Sequence, residues 1–243
     1  GHFPHNPEPL KQHLTDLSEK VLSTGADFGI AVDPDVDRLA FMDEKGELFG
    51  EEYTLVACAD YVLSHTKGNT VSNLSSTRAL RDVTAKHGGT YTASAVGEVN
   101  VVAAMKANNA IIGGEGNGGI ILPESHYGRD ALVGIALFLS LLSEKQISVS
   151  ALKKTYPLYF MSKKKIDLNL SIDVDALLSA MEKSYQNETL TTVDGVKIDF
   201  LDSWVHLRKS NTEPIIRIYT EAPSQAQADA LADRFISEFK AFS

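Results

Sequence analysis

The sequence contains little of what marks a membrane, secreted or disulfide-linked protein. Cys58 is the single cysteine among 243 residues, so no disulfide can form within the chain. No apolar run approaches the roughly 20 residues that a membrane-spanning helix needs, and no signal peptide is visible. We therefore expect a cytoplasmic protein with no membrane partner, in which Cys58 is a buried structural thiol.

Positive charge is also scarce. The 23 lysines and arginines are outnumbered by 32 aspartates and glutamates, which gives a formal net charge of −9. Such a surface repels polyanions, so we expect no nucleic-acid partner. The hydrophobic fraction of 43% is ordinary for a globular protein, and the length is sufficient for two compact units.

Apolar periodicity predicts alternating helices and strands over the first two thirds of the chain. The predicted helices cover 51–64, 77–87, 99–106 and 129–145, and the predicted strands cover 28–32, 39–42, 70–74, 90–95, 110–112 and 120–122. This alternation predicts a three-layer α/β/α domain with a mixed sheet.

The pattern changes after Tyr156 and Pro157. Strands are predicted over 158–168, 196–200, 204–207 and 215–219, with one helix from Asp173 and a closing helix from Ser224. Ser224 and Gln227 form an S-x-x-Q capping box at the start of that last helix. Strands clustered between helices predict a smaller two-layer α+β domain.

An acidic loop separates two of the apolar runs. Asp33, Asp35 and Asp37 alternate along it, and Arg38 follows. Oxygen ligands of this kind suit Mg²⁺, and an arginine beside them suits a phosphate group. An EF-hand calcium loop is excluded, because Arg38 occupies the position that requires glycine and the flanking runs are β-type. The solvated face of an edge strand remains the competing interpretation of the alternating aspartates.

A second loop, 113–119, is rich in glycine. It contains G-x-G-x-x-G, but a dinucleotide-binding fingerprint must open a helix. Here a strand-like run ending in Pro123 follows, so we reject that interpretation. Glycines around Glu115 and Asn117 predict a close approach to a small polar ligand, with the two side chains binding its hydroxyls. A plain glycine-rich turn is the alternative.

A third loop, 208–214, is dense in hydrogen-bond donors. Arg208 and Lys209 are followed by Ser210, Asn211 and Thr212, a set that suits the oxygens of a phosphate group. A hydrogen-bonded turn accounts for the last three residues but gives no reason for Arg208.

These three loops, in this order, resemble the α-D-phosphohexomutase family, which includes phosphoglucomutase, phosphomannomutase and phosphoglucosamine mutase. The family's metal loop D-G-D-G-D-R is matched by 33–38, with Pro34 and Val36 in place of glycines. Its sugar loop G-E-x-S-G-[HG] is matched by 114–119, and its phosphate loop R-x-S-[NG]-T-E-P by 208–214. The opening residues 3–9 resemble the family's F-P-x-H-x-P-x-P stretch, so the match covers essentially the whole chain.

The resemblance implies a domain organisation. Residues 1–47 would be the carboxy-terminal remnant of domain 2, residues 48–154 domain 3 and residues 155–243 domain 4. The family's nucleophile is a phosphorylated serine in a T-A-S-H-N-P sequence, which does not occur among these 243 residues. We therefore expect the chain to lack the phosphoserine domain, to need the missing amino-terminal half as its partner, and to be inactive alone.

The resemblance also implies an activity, that of an intramolecular phosphotransferase of carbohydrate metabolism. The enzyme would interconvert hexose 1-phosphate and hexose 6-phosphate through a phosphoserine and a hexose 1,6-bisphosphate. Mg²⁺ would bind Asp33, Asp35 and Asp37, with Arg38 as a catalytic residue. The phosphorylated hexose would contact Glu115, Asn117, Arg208, Ser210, Asn211 and Thr212. The alternative is a sugar-phosphate-binding module without catalysis.

Some positions depart from the family pattern. Many relatives have histidine where Gly119 lies and a basic residue where Val99 lies, so the general base is unassigned. The candidates are Glu115, His126 and Arg129. Asn211 favours a glucose- or mannose-type substrate over glucosamine.

Overall fold

The computed structural model describes residues 2–3, 6–167, 173–210 and 213–242. The chain divides into two compact units, Gly1–Pro157 and Leu158–Ser243. Among the described residues no helix combines the length and hydrophobicity needed to cross a bilayer.

The first unit opens with a helix packed on a two-stranded hairpin. Helix α1 (Thr15–Thr24) precedes the antiparallel strands β1 (Gly29–Val32) and β2 (Leu39–Met42). The contacts are apolar, and involve Leu14, Val21, Ala40 and Met42. No helix was predicted from the sequence at the position of α1. The metal loop is the turn of this hairpin.

A mixed sheet forms the centre of the first unit. Its strands, in the order β4-β3-β5-β6, are β3 (Asn69–Asn73), β4 (Tyr91–Ser94), β5 (Ala110–Glu115) and β6 (Gly119–Ile121). Strands β3, β4 and β5 are parallel, and β6 is antiparallel to β5. The helices are α2 (Glu51–His65), α3 (Ala79–Lys86), α4 (Glu98–Ala107), α5 (Ala131–Lys145) and α6 (Val149–Lys153).

The core of the first unit follows from the apolar faces of these elements. Helix α4 packs Val101 and Met105 against Val71 of β3, whereas α2 lies beside α3 and α5. On α5, the ring of Phe138 stacks on that of Phe41, with centroids 3.7 Å apart. Cys58 is buried, as predicted. The predicted α/β/α architecture is confirmed.

The second unit is a two-layer α+β domain, as predicted. Its antiparallel sheet has the order β7-β11-β10-β9-β8, with β7 (Phe160–Asp167), β8 (Thr189–Thr191), β9 (Val196–Asp199), β10 (Trp204–Lys209) and β11 (Ile215–Ala222). The helices are α7 (Val174–Ser184) and α8 (Gln225–Phe242). Asp173 caps α7 by accepting from Ala176 N at 3.0 Å, and Ser224 accepts from Gln227 N at 3.3 Å. Residue 168, at the end of the first predicted strand, lies outside the described residues.

Buried His206 predicts an acid-sensitive second unit. Burial lowers the pKa of His206 to about 4, against roughly 6.5 in an unfolded chain. Between these two values the unfolded chain binds a proton that the folded unit does not, so stability is complete above the unfolded value and falls as the pH drops through this window. At about 1.4 kcal/mol per pH unit, the full loss is about 3 kcal/mol.

We expect urea unfolding at pH 7 and pH 4.5 to show this loss in the wild type and a smaller one in His206→Gln. Trp204, the single tryptophan, is buried in the same unit and reports its unfolding by fluorescence. Equal losses in the two proteins would assign the acid sensitivity to other groups.

Candidate functional site

The metal loop is folded by its first aspartate. Oδ1 of Asp33 accepts hydrogen bonds from the backbone N–H of Asp37 at 3.0 Å and of Arg38 at 2.9 Å. Asp33, Asp35 and Asp37 each offer one carboxylate oxygen, and these oxygens all lie within 4.8 Å of one another. The structure therefore brings together the three predicted ligands.

The electrostatics of this cluster suit a divalent cation. Burial and the neighbouring carboxylate of Asp33 raise the pKa of Asp37 to about 6, although Arg129 opposes the shift. Burial also acts to raise the pKa of Asp33, but hydrogen bonds from the backbone N–H of Arg38 and from the side chain and backbone N–H of Asp37 outweigh it together with the charge of Arg38, and the pKa of Asp33 is lowered. Crowded carboxylates that repel one another form a hard, all-oxygen donor set, which fits Mg²⁺.

Val36 shows that the loop is held in a costly conformation. Its φ of 58° lies in the left-handed region, where the related motif has glycine. For a β-branched residue this costs roughly 1–2 kcal/mol. A hydrogen bond to α5 anchors the loop, since the carbonyl of Val36 accepts from Ala131 N at 3.0 Å. The first residue of α5 thus fixes the position of the metal loop.

Arg38 is oriented by a residue that sequence reasoning missed. Its Nη1 donates to Oε1 of Glu8 at 2.6 Å, and its buried Nε lies 3.6 Å from Oδ2 of Asp33. Glu8 belongs to the opening stretch 3–9 of the resemblance, which could have identified it. Pro4 and His5 of that stretch lie outside the described residues.

The glycine-rich loop is a tight hairpin, which corrects the predicted strand 110–112. Strand β5 continues to Glu115, and β6 begins at Gly119. Glycines end the apolar pattern, but the backbone ladder continues, since Gly113 and Gly114 pair with Val71 and Ser72 of β3. Glycine is needed there, because a Cβ on Gly113 would lie 2.7 Å from the carbonyl oxygen of Val71. The glycine-rich loop leads directly into strand β6 and does not open a helix, consistent with the rejection of a dinucleotide site.

Glu115 is buried, and both of its carboxylate oxygens accept hydrogen bonds. Oε1 accepts from Asn73 Nδ2 at 2.9 Å and from Gly97 N at 3.2 Å, and Oε2 accepts from Arg129 Nη1 at 2.9 Å. The Oδ1 atom of Asn117 accepts from Gly119 N at 3.1 Å and so shapes the turn.

These groups meet at one edge of the sheet. Asn73 ends β3, Gly97 follows β4, and Glu115 ends β5. Open α/β sheets bind ligands outside the carboxyl ends of their parallel strands. Sequence reasoning missed Asn73, and also Ser76, which donates to Asn73 Oδ1 at 3.0 Å. Asn73 could have been found from its position at the carboxyl end of a predicted strand, where such sheets bind ligands.

Two of the general-base candidates, Arg129 and His126, lie in different surroundings. Arg129 lies in the cluster, where it contacts Asp37, Glu98 and Glu115. By contrast, the side chain of His126 is half-exposed, and its Nε2 lies 2.9 Å from Oδ2 of Asp130, the cap of α5.

Of the two positions that depart from the family pattern, one has a structural explanation and the other is exposed. A Cβ on Gly119 would lie 2.4 Å from Cδ of Arg129, which explains the glycine there. Val99 is 82% exposed.

The described part of the phosphate loop lies in the second unit. Nε of the mostly buried Arg208 is 3.8 Å from Oδ2 of Asp194. Ser210 is buried, and its Oγ accepts from Glu213 N at 3.3 Å. The predicted site residues Asn211 and Thr212 lie outside the described residues. Phosphate binding by this loop stays a prediction.

Comparison with known families agrees with this arrangement. Three models of phosphoglucomutase/phosphomannomutase domains match the chain: alpha/beta/alpha domain II over residues 1–46, alpha/beta/alpha domain III over 50–159 and the C-terminal domain over 167–238. The chain therefore belongs to the phosphoglucomutase/phosphomannomutase family.

Individual relatives are phosphohexomutases. A phosphoglucomutase/phosphomannomutase of Thermococcus kodakarensis is 37% identical over 94% of this chain and 50% of its own length. A probable phosphoglucosamine mutase of Methanopyrus kandleri is 34% identical over 97% and 53%. A crystal structure of a phosphoglucomutase/phosphomannomutase family protein from Burkholderia thailandensis superposes with a TM-score of 0.85 at 28% identity, covering 98% of this chain and 52% of that one. The chain spans about half the length of these relatives.

Proposed function

We propose that this chain supplies the metal-binding, sugar-binding and phosphate-binding parts of a phosphohexomutase that interconverts hexose 1-phosphate and hexose 6-phosphate. One observation carries the proposal. The cluster of Asp33, Asp35 and Asp37 meets the sugar-loop carboxylate of Glu115 through Arg129 within one unit. Phosphoryl transfer to a sugar needs a cation site and hydroxyl-binding groups in such proximity.

Each group has a distinct role in this proposal. Asp33, Asp35 and Asp37 hold Mg²⁺, which when bound supplies positive charge to neutralise the transferring phosphoryl group. Arg38, held by Glu8, adds a second positive charge at the same loop.

The sugar and its non-reacting phosphate are held by the other two loops. Glu115 and Asn117 bind sugar hydroxyls, and Arg208, Ser210, Asn211 and Thr212 bind the phosphate group that does not react. A glucose- or mannose-type substrate is favoured by Asn211.

The phosphoryl donor is a phosphoserine from outside these 243 residues. It passes its phosphoryl group to the free sugar hydroxyl, and the proton of that hydroxyl is balanced by protonation of the released serine oxygen. The resulting hexose 1,6-bisphosphate turns around and returns the other phosphoryl group to the serine. The 243 residues alone would then bind sugar phosphates without turning them over.

The 243-residue chain is expected to show no mutase activity with glucose 1-phosphate, Mg²⁺ and catalytic glucose 1,6-bisphosphate. It should still bind glucose 6-phosphate, measured by chemical-shift titration. Turnover comparable to an intact mutase would contradict the assignment of the nucleophile. Absence of sugar-phosphate binding would contradict both the mutase and the binding-module interpretations.

Asp35→Asn is expected to remove metal binding. Three carboxylates without the phosphoserine oxygen give at best millimolar-range affinity for Mg²⁺, an order-of-magnitude value for so few protein ligands. Chemical-shift titration with Mg²⁺ should therefore perturb residues 33–38 weakly in the wild type and not in the variant. Asp27→Asn is the matched control, since exposed Asp27 precedes the same hairpin but lies outside the cluster. Equal responses in the two variants would place the cation elsewhere.

A further inference from the structure

Arg129 lies where three acidic segments of the first unit meet. Its Nη2 donates to Oδ2 of Asp37, its Nη1 to Oε2 of Glu115 at 2.9 Å, and its Nε to Oε2 of Glu98 at 3.0 Å. These carboxylates belong to the metal loop, to the end of β5 and to the first turn of α4. The arginine side chain is only 15% exposed. One planar guanidinium therefore joins three segments that are distant in sequence.

The surroundings of this side chain favour an arginine. A guanidinium carries five N–H donors in a fixed fork, whereas an ammonium is a compact charge that cannot donate along these three directions from one position. Gly119 lies opposite Glu115 in the ladder between β5 and β6. A Cβ there would lie 2.4 Å from Cδ of Arg129, so a side chain at this position would displace the arginine.

We propose that Arg129 is a positioning residue that couples the divalent-cation site to the sugar-hydroxyl site. The inference rests on the proposed function, because it takes Asp37 as a metal ligand and Glu115 as a hydroxyl acceptor. A cation bound by the aspartates would compete with Nη2 of Arg129 for the carboxylate of Asp37. Nη1 of the same rigid guanidinium donates to the carboxylate of Glu115. A shift of either carboxylate is therefore passed to the other, and linkage makes the effect reciprocal.

A role for charge alone makes a different prediction. A positive charge beside clustered carboxylates lowers their mutual repulsion wherever its N–H groups point. Lysine at position 129 would then serve as well as arginine. If Arg129 couples the two sites, lysine at this position would not transmit the effect of one site to the other, because the two fixed hydrogen bonds to Asp37 and Glu115 are lost.

The test is the ratio of two dissociation constants for glucose 6-phosphate, measured by chemical-shift titration with and without saturating Mg²⁺. In the wild type we expect the ratio to differ from one by about fivefold or more, the usual lower range for coupled sites. It should be near one in Arg129→Gln and in Arg129→Lys. Glu98→Gln should keep the wild-type ratio, since the contacts to Asp37 and Glu115 remain. Arg81→Gln is a matched surface control, because Arg81 is an exposed arginine away from the cluster.

Circular dichroism shows which variants are folded, and Arg129→Lys carries the test if Arg129→Gln does not fold. A wild-type ratio in a folded Arg129 variant would overturn the proposal, as would a ratio of one in the wild type or loss of the ratio in Glu98→Gln. Failure of the wild type to bind Mg²⁺ and glucose 6-phosphate at all would overturn the proposed function itself, which is a separate outcome.

Discussion

Phe138→Ala is expected to destabilise the first unit by about 3–5 kcal/mol, the usual cost of removing a buried phenylalanine side chain. Phe138 is fully buried on α5. Its ring stacks on Phe41 of β2 at 3.7 Å and meets Phe49 edge-on at 5.1 Å. The substitution removes these contacts and leaves a cavity between the helix and the hairpin that carries the metal loop. Calorimetric unfolding measures the loss.

Leu139→Ala is the matched control, because its side chain is adjacent on the same helix but 39% exposed. We expect its effect to stay within about 0.5 kcal/mol of the wild type, as is usual for surface substitutions. A loss below about 1 kcal/mol in Phe138→Ala would show that the hairpin is not held by this aromatic contact, since such truncations cost several times more.

Arg208→Ala is expected to remove binding of a phosphate group by the second unit. Hydrogen bonds to charged groups contribute about 1.5–3 kcal/mol, which corresponds to a loss of affinity of roughly tenfold to more than a hundredfold. The loss should appear in titrations with glucose 6-phosphate. Arg208→Lys should restore binding only in part, because an ammonium keeps the charge but loses the planar fork.

Lys209→Ala provides the neighbouring control, because Lys209 follows Arg208 on β10 but is exposed. We expect it to weaken binding much less. If glucose 6-phosphate perturbs the surroundings of Glu115 and nothing in 208–212, the phosphate assignment is wrong. The loop is then a hydrogen-bonded turn.

Much of the fold could be predicted from sequence because its signals are local. The period of apolar residues predicted α2, α4 and α7 to within a few residues. The buried residues of α4 and α7 lie on one face of each helix, whereas Tyr53–Asp60 of α2 are all buried. The same rule failed where glycine replaced apolar residues, so β5 was predicted to end at 112, although its backbone ladder continues to Glu115. Helix α1 received no prediction, although Leu14, Leu17 and Val21 share a helical face.

The chemical character of the candidate site could be read from local sequence. The spacing of Asp33, Asp35 and Asp37 predicted a compact acidic cluster, and the structure brings the three together. The order of the three loops was sufficient to indicate the family to which the chain belongs.

The contacts among these groups arise only in the folded chain. Arg129 is separated from Glu115 by 14 residues and from Asp37 by 92, and no local pattern connects them. Glu115 ends the parallel strand β5, and the hydrogen bond from Ala131 N to the carbonyl of Val36 holds the metal loop beside the start of α5. Gly119 leaves space for the arginine. Long-range contacts of this kind depend on which elements become neighbours, and the order of strands in a sheet is fixed by packing over the whole unit.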